Sequence, residues 1–293
     1  MVPLIRILDL PGQVGPGARR TILGVAILVL AAGIVVSVRH RPDIFEGLLW
    51  WPILPLVAIG YPVTLWLNAL EFSISGLLVG RAVPFSTALE VTIVSSAANM
   101  LPMPGGPLVR IAGLKAAGAR YREGVWATLF FAGMWFGISC TFAGAAVIAI
   151  NETGVNVAGT LFLATGAGAI VTGLVLVARL AKGFKAPALA LLVKTALVAT
   201  DVFRFYLCLS ALGAEPSPFQ ASMYAVASMA GAAVSIVPAG LGVREAVSAA
   251  LSPLVGLGMA FGFIGAVLDR ILSLAVLAVA AMLTILLGRR PSS

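Results

Sequence analysis

About ten apolar runs follow one another along this chain, each bounded by Arg, Lys, Pro or Gly. Most have the length that a membrane-spanning helix requires, roughly 20 residues within a range of ~17–25. That feature constrains the fold more than any other. Hydrophobic residues make up 60% of the chain and charged residues 10%, against roughly 45–50% and ~25% in soluble domains. Too little charge remains to coat a soluble surface. The expected fold class is all-α, a polytopic membrane helical bundle occupying residues 1–293 as a single membrane domain.

The runs predict helices over Thr21–Val38, Leu48–Leu70, Phe85–Leu101, Gly106–Gly118, Gly124–Ile150, Gly159–Ala178, Pro187–Leu212, Pro218–Val237, Leu241–Val255 and Gly258–Leu287. The first is read as a retained helix and not a signal peptide. Its leader carries Pro3, Pro11 and Pro16, and no small-x-small cleavage site precedes Arg39. The fourth and ninth runs are too short and too polar for ordinary spans. Each follows a Pro/Gly cluster, Pro102 to Pro107 and Pro238 to Gly242, where proline and glycine stop a helix and open a turn. Irregular backbone at membrane depth persists only where protein buries it or a water-filled cavity solvates it. The two turns are therefore the first pointer to a site.

The turns also share a pattern. Pro104 to Arg110 and Pro238 to Arg244 both read P-x-G-x-x-V-R, and positions 104 and 238 are 134 apart. That offset carries the first five runs onto the last five within boundary error. Two repeats follow, about 21–150 and about 159–287. Each has an odd number of spans, whether or not the short pairs are re-entrant, so the second repeat is expected to enter the membrane from the opposite side. This inverted-topology arrangement places transporter sites near the midplane, where broken helices meet. Arg19, Arg20, Lys115, Arg120, Arg122, Arg179, Lys182, Lys185, Arg289 and Arg290 then fall on the cytoplasmic side with both termini, while Glu152 and Glu215 fall outside. The loop from Arg39 to Glu46 fits this least well.

The formal net charge of +8 is accordingly topogenic. No basic cluster with interleaved aromatics suggests nucleic acid. Cys140 and Cys208 lie inside apolar runs and read as small buried hydrophobes, and His40 as a solvated loop residue. No ligand set for zinc or haem is evident, and no cofactor is expected. Trp50, Trp51, Trp66, Trp126 and Trp135 read as interfacial anchors and packing.

Charge inside a membrane span is costly, so such residues pair, face the bundle interior or mark a pathway. The candidates are Glu90, Arg110, Lys194, Asp201, Arg204, Arg244, Glu245, Asp269 and Arg270. Arg110 and Arg244 each stand just inside a short helix after a Gly-rich turn. Free N–H groups at a helix start and a nearby guanidinium suit a phosphate or carboxylate, and Pro107 suits the first helical position. Structural pairing with Glu245, Glu90 or Asp269 is the competing reading. Lys194, Asp201 and Arg204 share one helix face, where Asp201 and Arg204 are spaced to pair. Asp269 and Arg270, being adjacent, point about 100° apart and serve different neighbours. Asn99 is placed to cap or hydrogen-bond the broken backbone of the first turn. Gly105, Gly106, Gly240 and Gly242 form the turns themselves.

These residues carry a resemblance. Asn99-Met100-Leu101-Pro102 through Gly105, Gly106 and Arg110 resembles the first motif of the membrane region of lysylphosphatidylglycerol synthases. Val237 through Ala246 resembles its second motif, and Arg270-Ile271-Leu272 its third. The family includes stand-alone, flippase-like membrane proteins. The chain departs from the family where Gly106-Pro107 replaces a frequent Gly-Glu, and where Pro238-Ala239-Gly240 replaces Pro-Gly-Gly. The run Gly124–Ile150 also lacks an Arg and an acidic residue that the family often carries.

The resemblance implies an ATP-independent lipid flippase or scramblase of the cell inner membrane, not an enzyme. Its substrate would be a lipid with a phosphate headgroup, bound by Asn99, Gly105, Gly106, Arg110, Gly240, Gly242, Arg244, Glu245 and Arg270. The soluble domain that attaches the amino acid in two-domain synthases is not expected here, since the sequence stops six residues after the last run. A separately encoded soluble transferase and a second copy of the chain are the partners to be considered. The alternatives are an integral membrane enzyme acting on lipid headgroups, for which only Glu90, Glu245 and Asp269 offer acid–base groups, and a non-catalytic partner of such a transferase.

Overall fold

The computed structural model of the chain describes residues 16–42, 47–99, 105–150, 157–178, 185–233 and 240–288. Among them every regular element is helical. In chain order they are α1 (Pro16–His40), α2 (Ile53–Leu78), α3 (Phe85–Ala98), α4 (Gly105–Ala116), α5 (Tyr121–Ile150), α6 (Val157–Ala178), α7 (Lys185–Ala211), α8 (Pro218–Ser222), α9 (Tyr224–Ala233), α10 (Val243–Leu251) and α11 (Met259–Gly288). Within α2, the five residues Leu56–Gly60 form a wider π turn. Pro62, whose missing N–H removes one helical hydrogen bond, follows it after Tyr61. Among the described residues five helices (α2, α5, α6, α7 and α11) are long and apolar enough to cross a membrane.

The second helix runs eight residues past its expected end at Leu70. Glu71 ends the apolar run, but it is buried and ion-paired and does not interrupt the helix. The stop comes at Gly80, where φ is +72°. The Gly80 N–H donates to Leu77 O at 3.1 Å and the Arg81 N–H to Gly76 O at 2.8 Å, a Schellman closure that satisfies carbonyls of the last turn. Gly213 ends α7 in the same way. The run from Pro218 divides at Met223 into α8 and α9. The short α8 opens on a capping box between Ser217 and Gln220. After Leu251 the chain tightens into a 3-10 turn, Ser252–Val255, at Pro253, which has no N–H to continue α10. His40 is the last residue of α1 and not a loop residue.

Helix order recurs along the chain. The sequence α1, α2, α3, α4, α5 is matched by α6, α7, α8 with α9, α10, α11. Packing recurs under the same exchange. Helix α1 lies on α11, and its counterpart α6 lies on α5. Helix α3 touches α11, and α8 and α9 touch α5. Helices α2 and α7 cross each other. At this crossing Leu67 and Ile74 meet Val193, Leu197 and Val198, with Phe131, Met134 and Ile138 of α5 completing the cluster. Burial of such residues is the main apolar contribution that fixes the centre of the bundle.

The short helices form two hairpins, α3 with α4 and α9 with α10. In the first, a Cβ on Gly105 would strike the Ala98 carbonyl, and one on Gly106 would strike Asn99. In the second, a Cβ on Gly240 would strike the Gly231 backbone. Gly240 also has φ of +63°, a region that costs a residue with a side chain roughly 1–2 kcal/mol by itself. Gly240→Ala is therefore expected to lower stability by at least about 2 kcal/mol. Gly80→Ala, also at positive φ but with nothing within 4 Å of its Cβ, should lose only the conformational part. Thermal unfolding of the two variants in detergent checks this; equal losses would refute the close-approach account.

Candidate functional site

The prolines of both turns (Pro102, Pro104 and Pro238) lie outside the described residues. The glycines and arginines that follow them do not. The α4 helix begins at Gly105, so Pro107 sits inside its first turn and not at the first position. Proline is tolerated there because the first N–H groups of a helix have no intrahelical partner. One of those donors, the Gly106 N–H, donates to Asn99 Oδ1 at 2.9 Å. The position 134 after Asn99 is Ala233, which has no side-chain amide to offer. The tight turn of the second hairpin relies on Gly240 and on Gly242, the N-cap of α10 with φ of +80°.

A cavity of about 560 Å³ opens between the two hairpins and helices α2, α5, α7 and α11. Asn99 and Pro107 lie at an exposed edge of it. Leu65, Leu274 and Leu277 give it an apolar wall. Arg110 and Arg244 both line it, as do Gly106, Gly240, Arg270, Lys194, Asp201 and Arg204. Gly105, Gly242, Glu245 and Asp269 support it from behind. Glu90 lies apart, exposed on α3 and outside the cavity lining.

Two carboxylates organise the lining, and each bridges two cations. Glu71, 2% exposed, accepts from Arg110 Nη1 at 2.5 Å and from Lys194 Nζ at 2.5 Å. Asn68 Oδ1 accepts from Arg110 Nη2 at 3.2 Å. Lys194 Nζ also lies 5.5 Å from the Trp135 ring centre and 5.8 Å from that of Phe131, within the reach of a cation–π attraction.

On the other side Asp269, fully buried, accepts from Arg204 Nη2 at 2.8 Å and from Arg244 Nη2 at 2.6 Å. The Tyr61 hydroxyl donates to Asp269 Oδ1 at 3.0 Å and to its carbonyl at 2.8 Å. Arg204 holds Asp201 Oδ1 at 3.0 Å, one turn earlier on α7, and donates to Thr64 Oγ1 at 3.2 Å. Every Arg204 nitrogen is thereby engaged. Arg244 differs: its Nε is buried with no hydrogen-bond partner among the described residues. An unmet buried donor is destabilising by about 1–3 kcal/mol.

A third pair closes the second hairpin. Arg270 Nε donates to Glu245 Oε1 at 2.5 Å, and Arg270 Nη2 donates to the Gly240 carbonyl at 3.2 Å. The third motif thus holds both ends of the second. Asp269 and Arg270, adjacent on α11, do serve different partners. Residues 177–281 match the lysylphosphatidylglycerol synthase TM region. The matched stretch of that region runs from the end of α6 into α11, and so contains the second turn, Arg244, Glu245, Asp269 and Arg270. Together with the five apolar helices, the match to this TM region makes the chain a multi-pass membrane protein. No curated protein matches the chain.

Glu71 is not among the charged candidates that the sequence singles out, yet it organises one side of the cavity. Asn68, Thr64, Tyr61 and Trp135 were likewise not singled out as lining. One near-signal for two of them exists: Asn68 and Glu71 stand 133 positions before Asp201 and Arg204. The offset of 134 that relates the two turns misses this match by one residue and sets Val202 and Phe205 opposite the pair instead. Trp66 and Trp126 are exposed, as anchors in lipid would be, whereas Trp135 is turned inward over Lys194.

Proposed function

We propose that the chain moves a lipid with an anionic phosphate headgroup between the leaflets of the cell inner membrane, without ATP hydrolysis and without changing the lipid chemically. The observation that carries this reading is the single cavity shared by Arg110 and Arg244, the two arginines that follow the repeated turns. Each carboxylate facing them keeps a second cation, Lys194 on Glu71 and Arg204 on Asp269. Either arginine can turn to a phosphate without stranding a buried carboxylate, whose isolation would be costly. The apolar wall of Leu65, Leu274 and Leu277 gives the acyl chains a surface while the headgroup occupies the polar floor. A volume of this size suits a small polar headgroup.

In this reading the two repeats are inverted, and both termini are cytoplasmic. Inversion would let the same cavity open toward either leaflet as one half rocks against the other. The test is reconstitution in proteoliposomes without nucleotide, following tail-labelled anionic lipid by its extraction into albumin. Movement above protein-free vesicles is the expected result. Folded protein that moves no lipid would overturn the reading.

A further inference from the structure

We infer that the cavity selects a singly charged phosphodiester and discriminates against a doubly charged phosphomonoester, an inference that rests on the cavity being the headgroup site. The argument is a charge count. Around the cavity stand five cations, Arg110, Lys194, Arg204, Arg244 and Arg270, and four carboxylates, Glu71, Asp201, Glu245 and Asp269. One positive charge is left over. The stretches 100–104 and 234–239 carry no ionisable side chain and add nothing to the count.

Backbone dipoles do not alter it either. A helix start contributes about half a positive charge and a helix end about half a negative one. Here the start of α4 lies against the end of α3, with Gly105 on the Ala98 carbonyl, and Gly240, just before α10, lies against Gly231 near the end of α9. Each hairpin therefore presents both signs at its turn, and the two contributions offset. Side-chain charge sets the potential.

A monoanion held by Arg110 and Arg244 brings this group to neutrality. A dianion leaves one negative charge among four buried or half-buried carboxylates, in surroundings where charge is weakly screened. Asp201 is the residue that tunes the count. Its Oδ1 is held by Arg204, and its side chain remains 19% exposed. Arg204 keeps Asp269 and Thr64 when Asp201 loses its charge, so Asp201→Asn raises the surplus to two positive charges with little damage to the network.

A size-matched pair tests this. Tail-labelled phosphatidic acid and its methyl ester, phosphatidylmethanol, differ by one methyl group and, at pH 8, by about one charge, since the second phosphate pKa is about 6. In proteoliposomes at pH 8 the diester is expected to move about ten-fold faster than the monoester. The gap should narrow at pH 5.5, where the monoester is largely singly charged, and also in Asp201→Asn at pH 8. A gain of monoester transport in that variant is not something structural damage produces. Equal rates at pH 8, or an Asp201→Asn protein with unchanged preference, would overturn the charge rule while leaving lipid movement standing.

Calorimetry in detergent with glycerol 3-phosphate and its methyl diester separates the two readings. If no lipid moves but the soluble diester binds about ten-fold more tightly than the monoester at pH 8, the charge rule holds and the cavity serves a soluble anion. If neither binds, or the monoester binds as tightly, the charge rule fails.

Discussion

Replacing Arg110 and Arg244 together by alanine is expected to abolish protein-dependent lipid movement while leaving the bundle folded. Both halves of this expectation follow from the bridging carboxylates. In Arg110→Ala, Glu71 still holds Lys194 at 2.5 Å; in Arg244→Ala, Asp269 still holds Arg204 and the Tyr61 hydroxyl. No carboxylate is left alone, so the usual cost of breaking a buried pair does not arise. What is lost is the contact to the phosphate. A hydrogen bond to a charged group is worth about 1.5–3 kcal/mol, which for each single variant corresponds to roughly a ten- to hundred-fold slower rate.

Lysine at either position keeps the charge but not the planar fork that fits two phosphate oxygens. Arg110→Lys and Arg244→Lys should therefore fall between wild type and alanine. The measurement is albumin extraction of tail-labelled lipid from proteoliposomes, with monodispersity in detergent as the control for folding. A double alanine variant that is folded and moves lipid at the wild-type rate would remove Arg110 and Arg244 from the mechanism.

The sequence made the bundle legible because each span must supply its own run of apolar residues, and helix stops need glycine or proline. Helix ends were readable wherever that chemistry was local, as at Gly213 and Pro218. They were misplaced where a charge was buried by tertiary structure. Glu71 looks like the end of a span until its partners, Arg110 from α4 and Lys194 from α7, are known. Those partners lie 39 and 123 positions away, beyond the reach of any local pattern.

The site divides the same way. Asn99 against Gly106, and Asp201 beside Arg204, are contacts within one hairpin or one helical turn, and spacing predicted both. The sharing of one cavity by Arg110 and Arg244, and of Asp269 by Arg204, Arg244 and Tyr61, depends on how α2, α7 and α11 cross. The internal repeat was the one long-range signal in the sequence. It related the two turns, but missed by one residue the polar pairs of α2 and α7.

Arg270 should behave in the opposite way to Arg110 and Arg244. Its carboxylate, Glu245, is fully buried, and one of its oxygens, Oε2, has no hydrogen-bond partner among the described residues. Arg270 is the single cation paired to it among the described residues. Removing the arginine leaves an uncompensated buried carboxylate and a loosened Gly240 carbonyl, a change of the kind that destabilises by about 3–5 kcal/mol. Arg270→Met alone is expected to unfold in detergent well below the wild-type temperature and to lose lipid movement as a consequence. Adding Glu245→Gln removes the stranded charge and should recover a large part of the lost stability, because replacing both members of a buried pair by neutral groups is far less harmful than removing one. The same second change should restore nothing to Arg110→Ala, whose carboxylate is Glu71, and should itself destabilise that protein, because it takes the carboxylate away from Arg270. Thermal unfolding of the four variants forms the test. If Arg270→Met is as stable as Arg110→Ala, or if Glu245→Gln fails to restore it, then Arg270 is not the structural clasp of the second hairpin.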